Sequence, residues 1–141
     1  MANTGIRHFD RSVQKTNEMI GDVMQRTGIR NREKAYIALR GTLQELRDRL
    51  TVNQSANLAS QFPLMVQGVY YDNWNPSRVP VKISKGYVFA SRVHSHLKND
   101  PEYDPDAVVR GVFSVLADRI SVGKIEDVKS VLPDDIAKLW P

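Results

Sequence analysis

The chain contains no cysteine. That absence removes disulfides, thiolate nucleophiles, iron–sulfur clusters and cysteine-ligated zinc together. Histidine is scarce, with His8, His94 and His96 the full set, so metal and acid–base chemistry would draw on few groups. No apolar run approaches the ~20 residues a membrane-crossing helix needs. The opening segment Met1-Ala2-Asn3-Thr4-Gly5 has neither the apolar stretch of a signal peptide nor the second-position glycine of a myristoylation signal. A cytoplasmic protein with no membrane association is expected. The sequence also lacks a Gly-x-Ser-x-Gly elbow, a phosphate-cradling glycine loop and a His-Glu-x-x-His pair, and its eight glycines are scattered. These gaps predict a protein that is not an enzyme and carries no cofactor.

What is present is ordinary globular material. Over 141 residues, 41% are hydrophobic and 26% charged, which is enough apolar side chain for a core and argues against disorder. The net charge of +4 is uneven. Residues 1–50 carry 10 Lys/Arg against 6 Asp/Glu, residues 51–100 carry 5 against 2, and residues 101–141 carry 5 against 8. A basic front and an acidic tail suit an anionic partner or head-to-tail self-association, although a mixed solvated surface accounts for the same counts.

The pattern along the chain repeats. A shift of 70 places Arg40-Gly41 on Arg110-Gly111, Leu46 on Leu116, and Asp48-Arg49-Leu50-Thr51-Val52 on Asp118-Arg119-Ile120-Ser121-Val122. Phe62-Pro63 falls on Leu132-Pro133, and Tyr70 on Trp140. Apolar spacings of three and four predict four helices per unit. The first carries Phe9, Val13, Thr16, Ile20, Val23 and Met24 on one face and stops at Gly28. The second opens at the Asn31 cap and carries Tyr36, Leu39, Leu43, Leu46 and Leu50. Thr51 and Gln54 form a capping box for the third, and Pro63 starts the fourth. In the second unit Ser84 is the expected cap of the first helix, Asp104-Pro105-Asp106 starts the second, Ser121 caps the third and Pro133 opens the last. The expected fold is all-α: a tandem duplication of a four-helix unit, about 9–70 and 81–141, packed into one helical domain and joined by a linker over 71–80.

The stretch Pro63-Leu64-Met65-Val66-Gln67-Gly68-Val69-Tyr70-Tyr71-Asp72-Asn73-Trp74-Asn75-Pro76-Ser77-Arg78-Val79-Pro80 resembles the signature of an uncharacterised bacterial family, domain-of-unknown-function family 2267. Leu43 to Leu50 and Glu126 to Pro133 add to the resemblance, which runs from about Phe9 to Pro141. It implies a bacterial, duplicated, all-helical fold and brings no activity with it. Gln67, where the family favours arginine, and Phe62, where it favours leucine, depart from its pattern.

The chemical candidates thin out under geometry. His94 and His96 lie two apart, about 200° around a helix, so they cannot share a metal ion. Asp100, Glu102, Asp104 and Asp106 alternate like a calcium loop but lack its glycine and its terminal glutamate, and helix capping accounts for Asp104 and Asp106. Asp48-Arg49 and Asp118-Arg119 are expected to pair locally at helix ends. A basic cluster of Arg26, Arg30, Arg32, Lys34 and Arg40 could contact phosphate, with Glu33 and Glu45 interrupting it. The linker residues Tyr71, Trp74 and Arg78 are of types enriched at binding hot spots and are stiffened by prolines, although the favoured reading of Trp74 is a plug for the junction of the two units, which a two-unit stack must bury. The expected role is a non-catalytic protein–protein interaction or scaffold module whose protein partner is unknown, with self-association allowed. The alternative is a nucleic-acid-associated regulator using the cluster between Arg26 and Arg40.

Overall fold

Residues 3–141 are described by a computed structural model, and every regular element among them is helical. The chain runs through α1 (Arg7–Thr27), α2 (Arg32–Asp48), α3 (Val52–Ala59), α4 (Leu64–Tyr71), a 3-10 turn at Pro76–Arg78, then α5 (Gly86–His96), α6 (Pro105–Arg119), α7 (Val122–Val131) and α8 (Asp134–Ala137). Local chemistry sets most of these ends. Gly28 stops α1 in the left-handed region, at φ 78°, and donates its N–H to the Met24 carbonyl, a conformation that costs glycine little. The Asn31 side chain accepts from Lys34 N–H, and Thr51 and Gln54 close a reciprocal capping box. Asp104 accepts from Ala107 N–H with Pro105 at the first helical position, and Ser121 accepts from Lys124 N–H. Each such cap contributes about 1 kcal/mol.

Two expectations fail at helix starts. Ser84 does not cap α5; Lys85 occupies that position without a side-chain bond, and the Gly86 N–H donates to the carboxylate of Asp135 on α8. A charged acceptor brought in by the fold outcompetes a local hydroxyl. Phe9, expected on the buried stripe of α1, is 43% exposed. Burial begins one turn later at Ser12, whose hydroxyl accepts the Met65 N–H of α4.

The four long helices form the body. α1 packs along α2 and α6, α5 packs along the same two, and α2 meets α6 across the middle. α4 lies on α1 and α2, α8 touches α5 and α7, and α3 meets α7. Leu39, Leu43 and Leu46 of α2, and Leu50 just beyond its end, are all buried. At about 2 kcal/mol for each side chain removed from water, packing outweighs the tenths that separate helix propensities. Phe89, Phe113 and Trp140 continue the core, with the last two stacked at 4.0 Å.

Glycine lets the helices cross closely. A Cβ on Gly41 would stand 2.9 Å from Cγ of His96 on α5. One on Gly111 would stand 2.6 Å from Thr27 Cγ2 and 3.0 Å from the Arg26 carbonyl oxygen on α1. Gly41 to Arg47 are all buried, so α2 is enclosed on its polar side as well as its leucine side. Its polar groups find partners there: Gln44 donates to the Val69 carbonyl, and Arg47 donates to the carbonyls of Tyr70 and Asp72.

Candidate functional site

Three places gather the functional side chains. The first is the linker. Arg47 holds its start against α2 through the two carbonyl bonds just described. Tyr71 and Trp74 lie with ring centroids 5.3 Å apart, and the Trp74 N–H of the backbone donates to the Tyr71 carbonyl. Asn73 takes φ 62°, a conformation asparagine tolerates. Asn75 then accepts from Ser77 N–H to cap the 3-10 turn, which leaves Arg78 exposed. The Trp74 ring is half-buried and lies outside the buried core, and its indole N–H has no acceptor among the described residues. The close crossings at Gly41 and Gly111 bring α2 against α5 and α6 against α1.

The basic cluster is the second place, and its cations are largely spoken for. Arg26 reaches Asp118 and the Ser114 carbonyl on α6. Arg32 donates to the backbone and side-chain oxygens of Asn17. Lys34 pairs with Asp100 at 2.8 Å and lies over the Tyr103 ring. The hydrogen bond and charge of that pairing raise the Lys34 pKa and lower that of Asp100. Arg40 sits over Tyr36, and Arg30 is exposed without an ion pair among the described residues. The five residues do not present five free charges.

The third place was not legible as a site. Glu45 on α2 is buried and faces three basic groups: Arg92 Nε at 2.8 Å, His96 Nε2 at 3.2 Å and Arg49 at 3.7 Å. Burial pushes its carboxyl pKa up, but the bonds from His96 and Arg92 and the charges of Arg92 and Arg49 outweigh it, and the net shift is downward. Burial pulls Arg49 down in turn. In sequence Glu45 reads only as an acid interrupting a basic run. Its partners Arg92 and His96 lie 47 and 51 residues away, so no local spacing could have announced them.

The histidines diverge, as the spacing requires. His94 Nε2 meets the Asp100 carbonyl and His96 meets Glu45. Asp104 caps α6, and Asp106 pairs with Arg110. The repeated Asp-Arg pairs behave differently in the two halves. Asp48 and Arg49 stay local, with Arg47 and Glu45 as partners. Asp118 and Arg119 instead cross to Arg26 and Asp22 on α1, which corrects the expectation of local pairing. The helix end there faces α1 directly, so oppositely charged groups on a neighbouring helix are nearer than any along the chain.

Two grooves flank these residues. One of about 390 Å³ is lined by Arg49, Pro80, Val81, Lys82, Ile83, Ser84, Val131 and Pro133. The other, about 400 Å³, includes Lys15, Gln61, Pro63 and Arg119. Arg49 and Arg119, and Pro133 and Pro63, are counterparts under the 70-residue shift. No group of three or more His, Cys, Asp or Glu able to hold a metal ion occurs among the described residues, and no described helix is long and apolar enough to cross a membrane.

Comparison with curated proteins finds no match. The profile of the uncharacterized conserved protein family DUF2267 matches residues 16–139, spanning the linker, the Glu45 cluster, the Arg49 groove and all of the Arg119 groove but Lys15. With that extent of match over an all-helical domain, the chain belongs to the DUF2267 family.

Proposed function

We propose that the protein is a non-catalytic interaction module that binds a protein partner, or a second copy of itself, through the linker surface of Tyr71, Trp74 and Arg78. One observation carries this reading: the linker is held rigid yet stays at the surface. Its aromatic pair is in tilted contact, its turn is capped, its start is tied to α2, and Arg78 is exposed. A surface already ordered loses little conformational entropy on binding, and Tyr, Trp and Arg are the side chains that dominate interface energetics. The nucleic-acid alternative has less support, because Arg26, Arg32 and Lys34 are engaged within the fold.

The same reading includes a duplicated origin for the halves 9–70 and 81–141. Exchanging α1 with α5, α2 with α6 and α4 with α8 maps the packing of α1 on α2 and α6 onto that of α5 on α6 and α2. The Gly41–His96 crossing corresponds to Gly111–Arg26, since 41 and 111 differ by 70, as do 26 and 96.

The test compares the wild type with Trp74→Ala/Arg78→Glu, both checked for unchanged helicity. Light scattering after size exclusion reads self-association, and cross-linked capture from lysate reads other partners. We expect an assembly or a specific captured protein that the variant loses. A monomeric wild type that captures the same background as the variant would end this reading.

A further inference from the structure

Arg49 combines two properties that rarely coexist. Its side chain is only 1% exposed, yet Nε and both terminal nitrogens have no hydrogen-bond partner among the described residues. Glu45 stands 3.7 Å away, too far for a hydrogen bond, and its two oxygens already accept from Arg92 and His96. A guanidinium offers five donors in a planar fork matched to a carboxylate, and a buried charged group whose donors go unused calls for a specific explanation. The local charge is also unbalanced: Arg47, Arg49 and Arg92 against Glu45 and Asp48 leave one positive charge in excess, His96 taken as neutral.

The groove that Arg49 lines is mostly apolar. Five of its eight residues, Pro80, Val81, Ile83, Val131 and Pro133, are apolar, Lys82 adds a second cation, and no acid lines it. Its volume of about 390 Å³ falls within the range of small-molecule sites. Val81 and Val131 are exposed there, at 37% and 43%. The segment 79–84 crosses over this end of α2 and is tied to it by the Val81 N–H bonding the Asp48 carbonyl at 2.7 Å.

We propose that this groove binds a small organic carboxylate. Its apolar body lies against Val81, Ile83, Val131 and Pro133, and its carboxylate is held bidentately by the Arg49 guanidinium, with Lys82 at the rim. Entry loosens the 79–84 segment enough to uncover the guanidinium, breaking the Val81–Asp48 bond while Val81 and Ile83 remain the apolar wall. The apolar walls favour an organic acid over inorganic phosphate, which has nothing to place against them. The counterpart groove makes an internal control: Arg119 there is 30% exposed and already bonded to Asp22 at 2.7 Å, so it has no comparable need of an anion. This site is separate from the linker surface, and either can fail without the other.

Titration of the intact protein with butyrate and with benzoate, followed through the side-chain N–H resonances of Arg49 and by melting temperature, tests the assignment. Both acids should shift the Arg49 signal saturably and raise the melting temperature, leave the Arg119 signal in place, and outcompete phosphate at equal concentration. Arg49→Met, which keeps the side-chain volume and removes the charge, should weaken binding by about tenfold or more, the scale of a lost charge-assisted contact. Ile83→Trp leaves Arg49 intact, fills the groove and should abolish binding, which covers the case in which Arg49→Met fails to fold. Three results each overturn the proposal: no saturable Arg49 shift, equal binding by phosphate, or undiminished binding in the Ile83→Trp protein.

Discussion

At the scale of single residues, the Glu45 cluster is where charge decides most. Glu45 is the anion that offsets Arg49, Arg92 and, when protonated, His96. Removing it leaves the buried Arg49 guanidinium without its nearest counter-charge, and losing one member of such a buried set costs about 3 kcal/mol. Glu45→Ala should therefore lower unfolding stability by about that amount at pH 7 in urea titration. The pH dependence follows from the direction of its shift. Because the folded carboxyl pKa is lowered, its stabilising contribution is complete above the unfolded value of about 4.3 and disappears as pH falls through the folded value. The gap between wild type and Glu45→Ala should thus narrow below about pH 4. A gap that stays constant down to pH 2 would mean that the carboxylate charge contributes nothing. Tyr70 shows the neutral counterpart. Burial raises its phenol pKa, with the bond to the Ser55 carbonyl opposing, so it stays an uncharged core side chain packed edge-on to Phe62.

At the scale of elements, the helix crossings set what the sequence tolerates. Alanine is favoured over glycine in a helix interior by roughly 1 kcal/mol, yet at Gly111 the new methyl would meet Thr27 Cγ2 and the Arg26 carbonyl oxygen. The carbonyl belongs to a helix backbone and cannot step aside cheaply, so overpacking at about 1–3 kcal/mol wins. Gly111→Ala should destabilise, and Gly21→Ala, with nothing within 4 Å of the added methyl, should stabilise by up to about 1 kcal/mol. Thermal melts of both variants check this; a rise in melting temperature for Gly111→Ala would remove the close crossing as the reason glycine stands there. Among these elements the caps at Asn31, Thr51, Asp104 and Ser121 and the stop at Gly28 were legible in sequence, because their partners lie within four residues. The start of α5 was not, because its acceptor Asp135 is 49 residues distant.

At the scale of the whole molecule, the halves are interleaved rather than juxtaposed. α1 lies on α6 as well as α2, and α5 on α2 as well as α6, so neither half can bury its long helices alone. Unfolding should be a single transition in which helix circular dichroism and tryptophan fluorescence coincide. Proteolytic nicking between Asp72 and Asn75 should leave the two fragments associated through gel filtration. Two separated transitions, or fragments that come apart without denaturant, would show that the halves fold independently.

The sequence alone determined the helical class, the number and rough ends of the long helices, and the membership that the linker signature pointed to, since all of these rest on spacing and on chemistry within a few residues. Tertiary structure decided which polar side chains are enclosed. Nothing local in the sequence marks Gln44, Glu45, Arg47 and Arg49 as interior, but α2 runs through the middle of the bundle, and these residues on it and at its end are buried. It also decided that Trp140 enters the core while Trp74 is only partly buried, and that Arg26, Arg32 and Lys34 of the basic cluster are tied up by Asp118, Asn17 and Asp100. These outcomes depend on residues brought together from tens of positions apart. Pairing at that range is fixed by the mutual packing of whole helices, which no local period in the sequence encodes.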